Sequence, residues 1–185
     1  MKRSFFGWLV ILTLSLVWIV TLAQCGKEES ALSSAPDFTL KSLDNHEITL
    51  STFRGSVVLL DFWATWCKPC RESIPHLIHL HKTHKKDGLV VLGMNVDRGD
   101  PEPVRRFIAS MEVPYPNVAV SPEVEKDYGI KSLPTTVFID KEGRIREKIV
   151  GFNAQTAKRL TERVVELTSE SSPAKVPQDL SSKDR

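Results

Sequence analysis

Cys67 and Cys70 stand three apart in the run Trp66-Cys67-Lys68-Pro69-Cys70. Two cysteines at that spacing form a dithiol that can open and close. A disulfide needs its Cα atoms within about 4.4–6.8 Å of each other, and one turn at the start of a helix supplies that separation. The helix start also carries free N–H groups and the positive end of the helix dipole, which favour a thiolate on Cys67. Lys68 adds positive charge beside it, and Pro69 suits the first turn, where its missing N–H costs nothing. The thiolate is the reactive form, so Cys67 reads as the attacking sulfur and Cys70, further into the helix, as the resolving one.

Other uses of the pair fit less well. Cys-x-x-Cys is half of many zinc sites, but a second pair would be needed, and the third cysteine, Cys25, lies far upstream in an apolar context. A disulfide kept only for stability would gain little from closing so short a loop. Redox chemistry therefore leads, given a strand-like run before the pair and a helix-like run after it.

Asp61 interrupts the otherwise apolar run Val57 to Trp63. A carboxylate among apolar neighbours pays heavily for its charge, so its pKa is expected to rise; the alternative is an aspartate at the strand's end, paired with a surface lysine. His76, His79, His81 and His84 invite a metal reading. On a helical wheel they spread over about 200° rather than sharing one face. They read as surface or half-buried helix positions, with metal or copper binding as the rival use.

The elements that must position these residues follow from pattern. Phe38-Thr39-Leu40 and Ile48-Thr49-Leu50 alternate either side of Asp44-Asn45, a hairpin signal. Val57 to Trp63 predicts a strand buried on both faces. Lys68 to about Lys86 has helical spacing in Ile74, Leu77, Ile78 and His81, with Pro75 expected to kink it or break one bond and Asp87-Gly88 to stop it. Leu89 to Val96 is a second buried strand. Pro101 to Ser110 reads as a helix, Val118 to Val120 as a short strand, and Glu123 to Tyr128 as a short helix ended by Gly129. Thr136 to Ile139 and Arg144 to Val150 form a hairpin across Lys141-Glu142-Gly143, and Gln155 to Leu167 an amphipathic helix. Strands alternating with helices, then a hairpin and a helix, argue an α/β layer architecture with a mixed sheet.

The chain has 185 residues with 25 Lys and Arg against 23 Asp and Glu. That length suggests one domain plus extras, and a net charge of +2 points to no nucleic-acid or acidic partner. Lys2 and Arg3 precede a nineteen-residue uncharged apolar run, Phe5 to Ala23. It exceeds the roughly 7–15 residues of a secretory apolar region and nears the roughly 20 that span a bilayer. Three readings stand for residues 1–25: an uncleaved membrane anchor; a lipoprotein signal, since Leu22-Ala23-Gln24-Cys25 resembles a lipobox with Cys25 as the lipidated residue; and simple cleavage with release. The basic flank should stay in the cytoplasm, so all three put the domain on the extracytoplasmic side, where disulfides persist. Residues 26–35 read as a tether, 36–168 as the folded domain, and 169–185 as a disordered tail.

Two stretches together carry a family resemblance. Asp61-Phe62-Trp63-Ala64-Thr65-Trp66-Cys67-Lys68-Pro69-Cys70 resembles the active-site strand and helix of thioredoxins, and Gly129-Ile130-Lys131-Ser132-Leu133-Pro134-Thr135-Thr136 resembles their second signature. The hairpin beginning Ala35-Pro36-Asp37-Phe38 and an insertion of about two dozen residues near Asp100 to Pro122 are similar to the membrane-anchored TlpA/ResA/DsbE-like branch of the thioredoxin superfamily, with its AhpC/TSA-redoxin type domain. The resemblance covers roughly Pro36 to Leu167. It implies a thioredoxin-like fold, a central mixed sheet flanked by helices, with the hairpin and the insertion added. It also implies that Cys67 is the nucleophile, Cys70 the resolver and Pro134 a cis residue, and that the backbone of Leu133 faces the bound partner. Trp66, Lys68 and Pro69 would share that contact surface. Asp61 would take the proton from the resolving cysteine. Some ResA-like members carry a glutamate three residues after the second cysteine; here that position is Ser73, and Glu72 points about 100° away on a helix.

The expected activity is thiol–disulfide exchange at an extracytoplasmic membrane surface in the periplasm, with the Cys67–Cys70 disulfide as redox group and no other cofactor. Expected partners are disulfide-containing exported proteins, apocytochrome c among them in cytochrome c maturation, and a membrane electron donor that restores the dithiol. Membrane association would come through anchor or lipid, and no nucleic acid is involved. A peroxidase of the related peroxiredoxin group would need Thr and Pro where Ala64 and Leu60 stand. The alternative from another class is a metal-binding, copper-delivery module using the cysteine pair and a histidine.

Overall fold

The computed structural model describes residues 33–170. The chain opens with a hairpin of β1 (Thr39–Lys41) and β2 (Glu47–Thr49), Thr39 opposite Thr49. Asn45, in the turn between them, takes the left-handed conformation at φ 63°, which Asn tolerates better than most residues. A 3₁₀ turn (Leu50–Phe53) leads into β3 (Val57–Trp63), α1 (Lys68–His84) and β4 (Leu89–Asn95). α2 (Glu102–Ser110), β5 (Asn117–Ala119) and α3 (Pro122–Asp127) follow, then β6 (Thr135–Ile139), β7 (Ile145–Val150) and α4 (Ala154–Ser169).

Five strands form one mixed sheet in the order β5-β4-β3-β6-β7. β3 runs parallel to β4, and β4 to β5; β6 is antiparallel to β3, and β7 to β6. All seven residues of β3 are buried, as expected for a strand covered on both faces. Its alternate side chains divide between two cores. Val58, Leu60 and Phe62 pack with Phe38, Met94, Val104 and Tyr128. Val57 and Leu59 pack with Leu77 and Leu80 of α1 and with Leu160 and Val164 of α4. β3 enters α1 at its C-terminal end, where open α/β sheets carry their sites.

The expected fold class is the observed one, and several details are sharper than the pattern implied. Pro75 lies inside α1, which continues to His84 before Gly88, at φ 88°, ends the segment. The insertion supplies α2 and also β5, the edge strand beside β4. The tether was expected to run to residue 35, with order beginning near Pro36. Instead Ser33 to Ala35 already belong to the fold: Ile145 donates its N–H to Ser33 O at 2.9 Å, Ala35 donates to Gly143 O at 2.9 Å, and Ser34 bridges Arg144. The physical reason is the open edge of β7, whose backbone groups need partners. At the other end α4 extends to Ser169, two residues past the expected Leu167. Glu170 caps it and pairs with Arg146 at 2.7 Å. The expected signal or anchor, the rest of the tether and the tail from 171 onward lie outside the described residues. Among the described residues no helix is long and apolar enough to cross a membrane.

Gly93 has a packing reason. A Cβ there would lie 1.9 Å from Asn117 Oδ1. The buried Asn117 amide accepts from Trp63 Nε1 at 3.0 Å and donates to Tyr115 O at 3.0 Å. Gly93→Ala should therefore displace a satisfied buried amide and destabilise the domain by about 2–3 kcal/mol. Urea denaturation should show the midpoint fall with the slope kept; an unchanged midpoint would mean that Asn117 moves aside at no cost.

Candidate redox site

After Trp63 the chain turns through Ala64, Thr65 and Trp66, and Cys67 N–H closes the turn on Ala64 O at 3.2 Å. Cys67 takes the N-cap position of α1 with extended backbone, φ −83° and ψ 104°. Its Sγ accepts the N–H of Cys70 at 3.2 Å. The sulfur thus stands where a serine or aspartate oxygen caps other helices. The two cysteines are joined by a disulfide with Cα atoms 5.3 Å apart. Cys70 is fully buried, whereas Cys67 reaches the surface at a groove. When the bond is reduced, the N–H and dipole of the helix start act on Cys67 Sγ, the sulfur an incoming chain can reach.

The groove has a volume of about 570 Å³. Trp66, Cys67, Pro69, Val96, Ile130 and Leu133 line it together with Glu125, Lys131 and Ser132. Register explains why residues so distant in sequence meet. Phe62 of β3 pairs with Thr135 of β6, so the Leu133–Pro134 segment arrives beside the end of β3. Trp63 pairs with Asn95 of β4, and Val96 donates its N–H to Trp63 O at 3.0 Å, which delivers Val96 from the other side. The Leu133–Pro134 peptide bond is cis. Of the expected contact surface, Trp66, Pro69 and Leu133 line the groove with Cys67. Pro134 is buried and Lys68 is exposed, and neither is among the residues that line the groove. Cys25 lies outside the described residues.

Asp61 is 1% exposed. Thr136 Oγ1 donates to its Oδ1 at 3.5 Å, and Oδ2 has no partner. Burial pushes its pKa up to about 7, with the Thr136 hydrogen bond opposing. Gly93, opposite it on β4, offers no side chain, and the amide of Asn117 beyond is already committed. Among the described residues no lysine pairs with it, contrary to the alternative of a surface pair. The other buried carboxylate among the described residues, Asp140, is a contrast. It accepts from the backbone of Glu142 and Arg144, and its Oδ2 lies 2.8 Å from Arg144 Nε and 3.6 Å from Arg146 Nη1. Asp140 is satisfied and holds a turn; Asp61 is left able to gain or lose a proton near pH 7.

Ser73 is buried and donates to Cys70 O at 2.9 Å, so the glutamate position of some relatives holds no acid here. The histidines do not converge. His76 contacts Thr161 and Phe152, His81 lies against Tyr115, and His84 pairs with Asp87. Burial lowers the pKa of His76 and His81. Among the described residues no three His, Cys, Asp or Glu side chains gather as a metal would require. The sequence reading gave no site role to Val96 and Glu125 on the groove or to Asn95 and Asp97 behind the cysteine turn, and it quoted Ile130, Lys131 and Ser132 only as part of the second signature. The one signal for Asp97 was its position just past the C-terminal end of a buried parallel strand.

Comparison with known proteins agrees with this geometry. The AhpC/TSA family matches residues 32–148. Thiol-disulfide oxidoreductase ResA of Geobacillus kaustophilus is 40% identical over 121 residues, 64% of this chain and 68% of the relative. ResA of Bacillus cereus is 34% identical over 173 residues, 90% of this chain and 98% of the relative. Among solved structures, a Chlorobium tepidum protein assigned as the thiol:disulfide interchange protein DsbE superposes with TM-score 0.70 at 30% identity, covering 74% of this chain and 96% of its own. With a disulfide-bonded cysteine pair at a helix start and a sequence and fold that match these proteins, the chain belongs to the AhpC/TSA family and, within the thioredoxin superfamily, to the TlpA/ResA/DsbE-like thiol-disulfide oxidoreductases.

Proposed function

We propose that this oxidoreductase works at the extracytoplasmic face of the membrane as a reductant of disulfides in exported proteins, apocytochrome c among them. The observation that carries the reading is the asymmetry of the cysteine pair: Cys67 lines a groove while Cys70 is fully buried and does not. The thiolate of Cys67 attacks one sulfur of a partner disulfide, and the partner's second sulfur leaves as a thiolate. Cys70, losing its proton to Asp61, attacks Cys67 Sγ, expels the remaining partner thiolate and closes the Cys67–Cys70 bond. Two electrons pass to the partner, and a membrane donor must return two to this chain. The apolar run Phe5–Ala23, with or without a lipid on Cys25, supports tethering beside such a donor. Trp66, Pro69 and Leu133 offer an apolar contact surface for the partner, with the exposed Lys68 next to Cys67 in the chain and the cis Pro134 next to Leu133.

In Cys70→Ser the mixed disulfide cannot be resolved, so non-reducing electrophoresis should reveal partner-linked species. Cys67→Ser should reveal none; the reverse pattern would invert the two roles.

Direction follows from charge. A strong oxidant owes its high potential to a strongly stabilised thiolate. Here Lys68 is the one cation between the cysteines, and Asp61, when ionised, opposes the thiolate. The reduction potential should lie nearer about −270 mV than about −120 mV. Equilibration against glutathione measures it, and a value above roughly −180 mV would make the protein an oxidase or isomerase.

Asp61 also couples to stability. Its folded pKa of about 7 exceeds the ordinary 3.8, so between those values the folded state binds more protons than the unfolded one. Stability should therefore fall as pH rises from about 4 to 7, by an amount on the order of 4 kcal/mol from this group. Asp61→Asn should flatten that slope in denaturation curves and slow the resolving step roughly a hundredfold. Unchanged turnover at every pH would leave Asp61 a structural residue only.

A further inference from the structure

Trp66 is 69% exposed, so packing on its ring does not hold the turn that presents Cys67. The hold comes at Thr65. Its backbone N–H donates to Asp97 Oδ2 at 2.8 Å and its hydroxyl to Asp97 Oδ1 at 2.8 Å. Asp97 is itself held. Its Oδ2 also accepts from Asn95 Nδ2 at 2.7 Å, and its N–H donates to Asn95 Oδ1 at 3.2 Å. Asn95 is the last residue of β4, 2% exposed and paired in the sheet with Trp63. The flanking residues belong to the groove: Val96 lines it, while Arg98 donates to Val120 O at 2.8 Å and pairs with Glu125, another lining residue. One short segment past β4 therefore grips the cysteine turn on one side and the groove wall on the other.

We propose that Asp97 is a positioning residue for the attacking sulfur, and that through Thr65 it fixes the turn that holds Cys67 Sγ against the first N–H groups of α1. The proposal rests on Cys67 being the nucleophile. Its physical content is a contest between two effects of opposite sign. As a clamp, Asp97 keeps the Cys67 backbone extended and its sulfur within reach of the Cys70 N–H, which favours the thiolate. As a nearby negative charge, it would disfavour the thiolate. The carboxylate's two oxygens already accept three hydrogen bonds, a geometry in which its charge is largely answered locally. The clamp therefore wins, and removing Asp97 makes Cys67 a more ordinary thiol.

The experiment uses the full chain in the reduced state with Cys70→Ser in the background. The pH dependence of iodoacetamide alkylation is followed by site-resolved mass spectrometry, which separates Cys67 from Cys25. Asp97→Ala should move the Cys67 midpoint upward by about one pH unit, slowing alkylation well below the midpoint about tenfold. Asp97→Asn keeps an acceptor for the Thr65 N–H and a group able to meet its hydroxyl, so it should recover most of the parent profile. An unshifted or downward-shifted profile in Asp97→Ala overturns the proposal. If circular dichroism shows that Asp97→Ala does not fold, Thr65→Val decides: it keeps the backbone contact and loses the hydroxyl one, and should shift the profile upward with about threefold slower alkylation, whereas a superimposable profile overturns the proposal. An ordinary thiol profile in the parent would overturn the nucleophile assignment and this proposal with it; a depressed parent midpoint that Asp97→Ala leaves in place overturns the proposal alone.

Discussion

β3 is enclosed on both faces by helices, hairpin and core side chains, and along both edges by β4 and β6. A strand so enclosed can leave no backbone N–H or C=O unpaired, and a slip of one residue would exchange its two faces. Val58, Leu60 and Phe62 would then trade cores with Val57, Leu59 and Asp61, a charge-bearing group among them. Register is therefore narrowly set, and the positions of the site follow from it. Trp63 opposite Asn95 brings the Val96–Arg98 segment to the cysteine turn, and Phe62 opposite Thr135 brings Leu133 and Pro134 to its other side. The groove is what remains between the segments that a single strand pair of registers delivers.

Within that frame, charge is distributed with economy of partners. Asp140 is buried yet surrounded by donors, and it ties the β6–β7 turn to Arg144 and Arg146. Glu147 of β7 pairs with Arg159 at 3.0 Å and Arg163 at 2.6 Å, which holds α4 to the sheet's edge. Asp61 stands apart, with one long hydrogen bond and one bare oxygen. A buried group left so poorly satisfied costs stability, and the cost is borne in β3, the strand that leads into the cysteine turn. Tyr115 behaves consistently: burial first, and the charge of Asp61 second, push its pKa upward, so its hydroxyl stays neutral.

Much of the fold and the core of the site were legible in the chain itself. Cys67 and Cys70 announce a dithiol because a helix start both spaces and polarises them, and the N-cap geometry of Cys67 is local chemistry. The apolar run that Asp61 alone interrupts reports a strand covered on both faces, hence a carboxylate without water. These features are readable because they depend on residues within one turn or one strand of each other, where periodicity and turn chemistry act directly. The cis character expected of Pro134 came from the resemblance of the run Gly129 to Thr136 to a known signature rather than from local pattern.

What the tertiary structure decided lies between segments. Nothing near Asp97 in sequence says that its carboxylate will meet Thr65, thirty-odd positions earlier; the β3–β4 register decides it. Nothing near Gly93 in sequence shows that Asn117 occupies the space its side chain would need. Ser33 to Ala35 have tether-like composition, yet the open edge of β7 recruits them, because unpaired backbone groups accept any suitably placed chain. Composition and period encode which residues seek burial and which can turn. Which two distant residues share a hydrogen bond is set by strand order and register, a property of the assembled sheet.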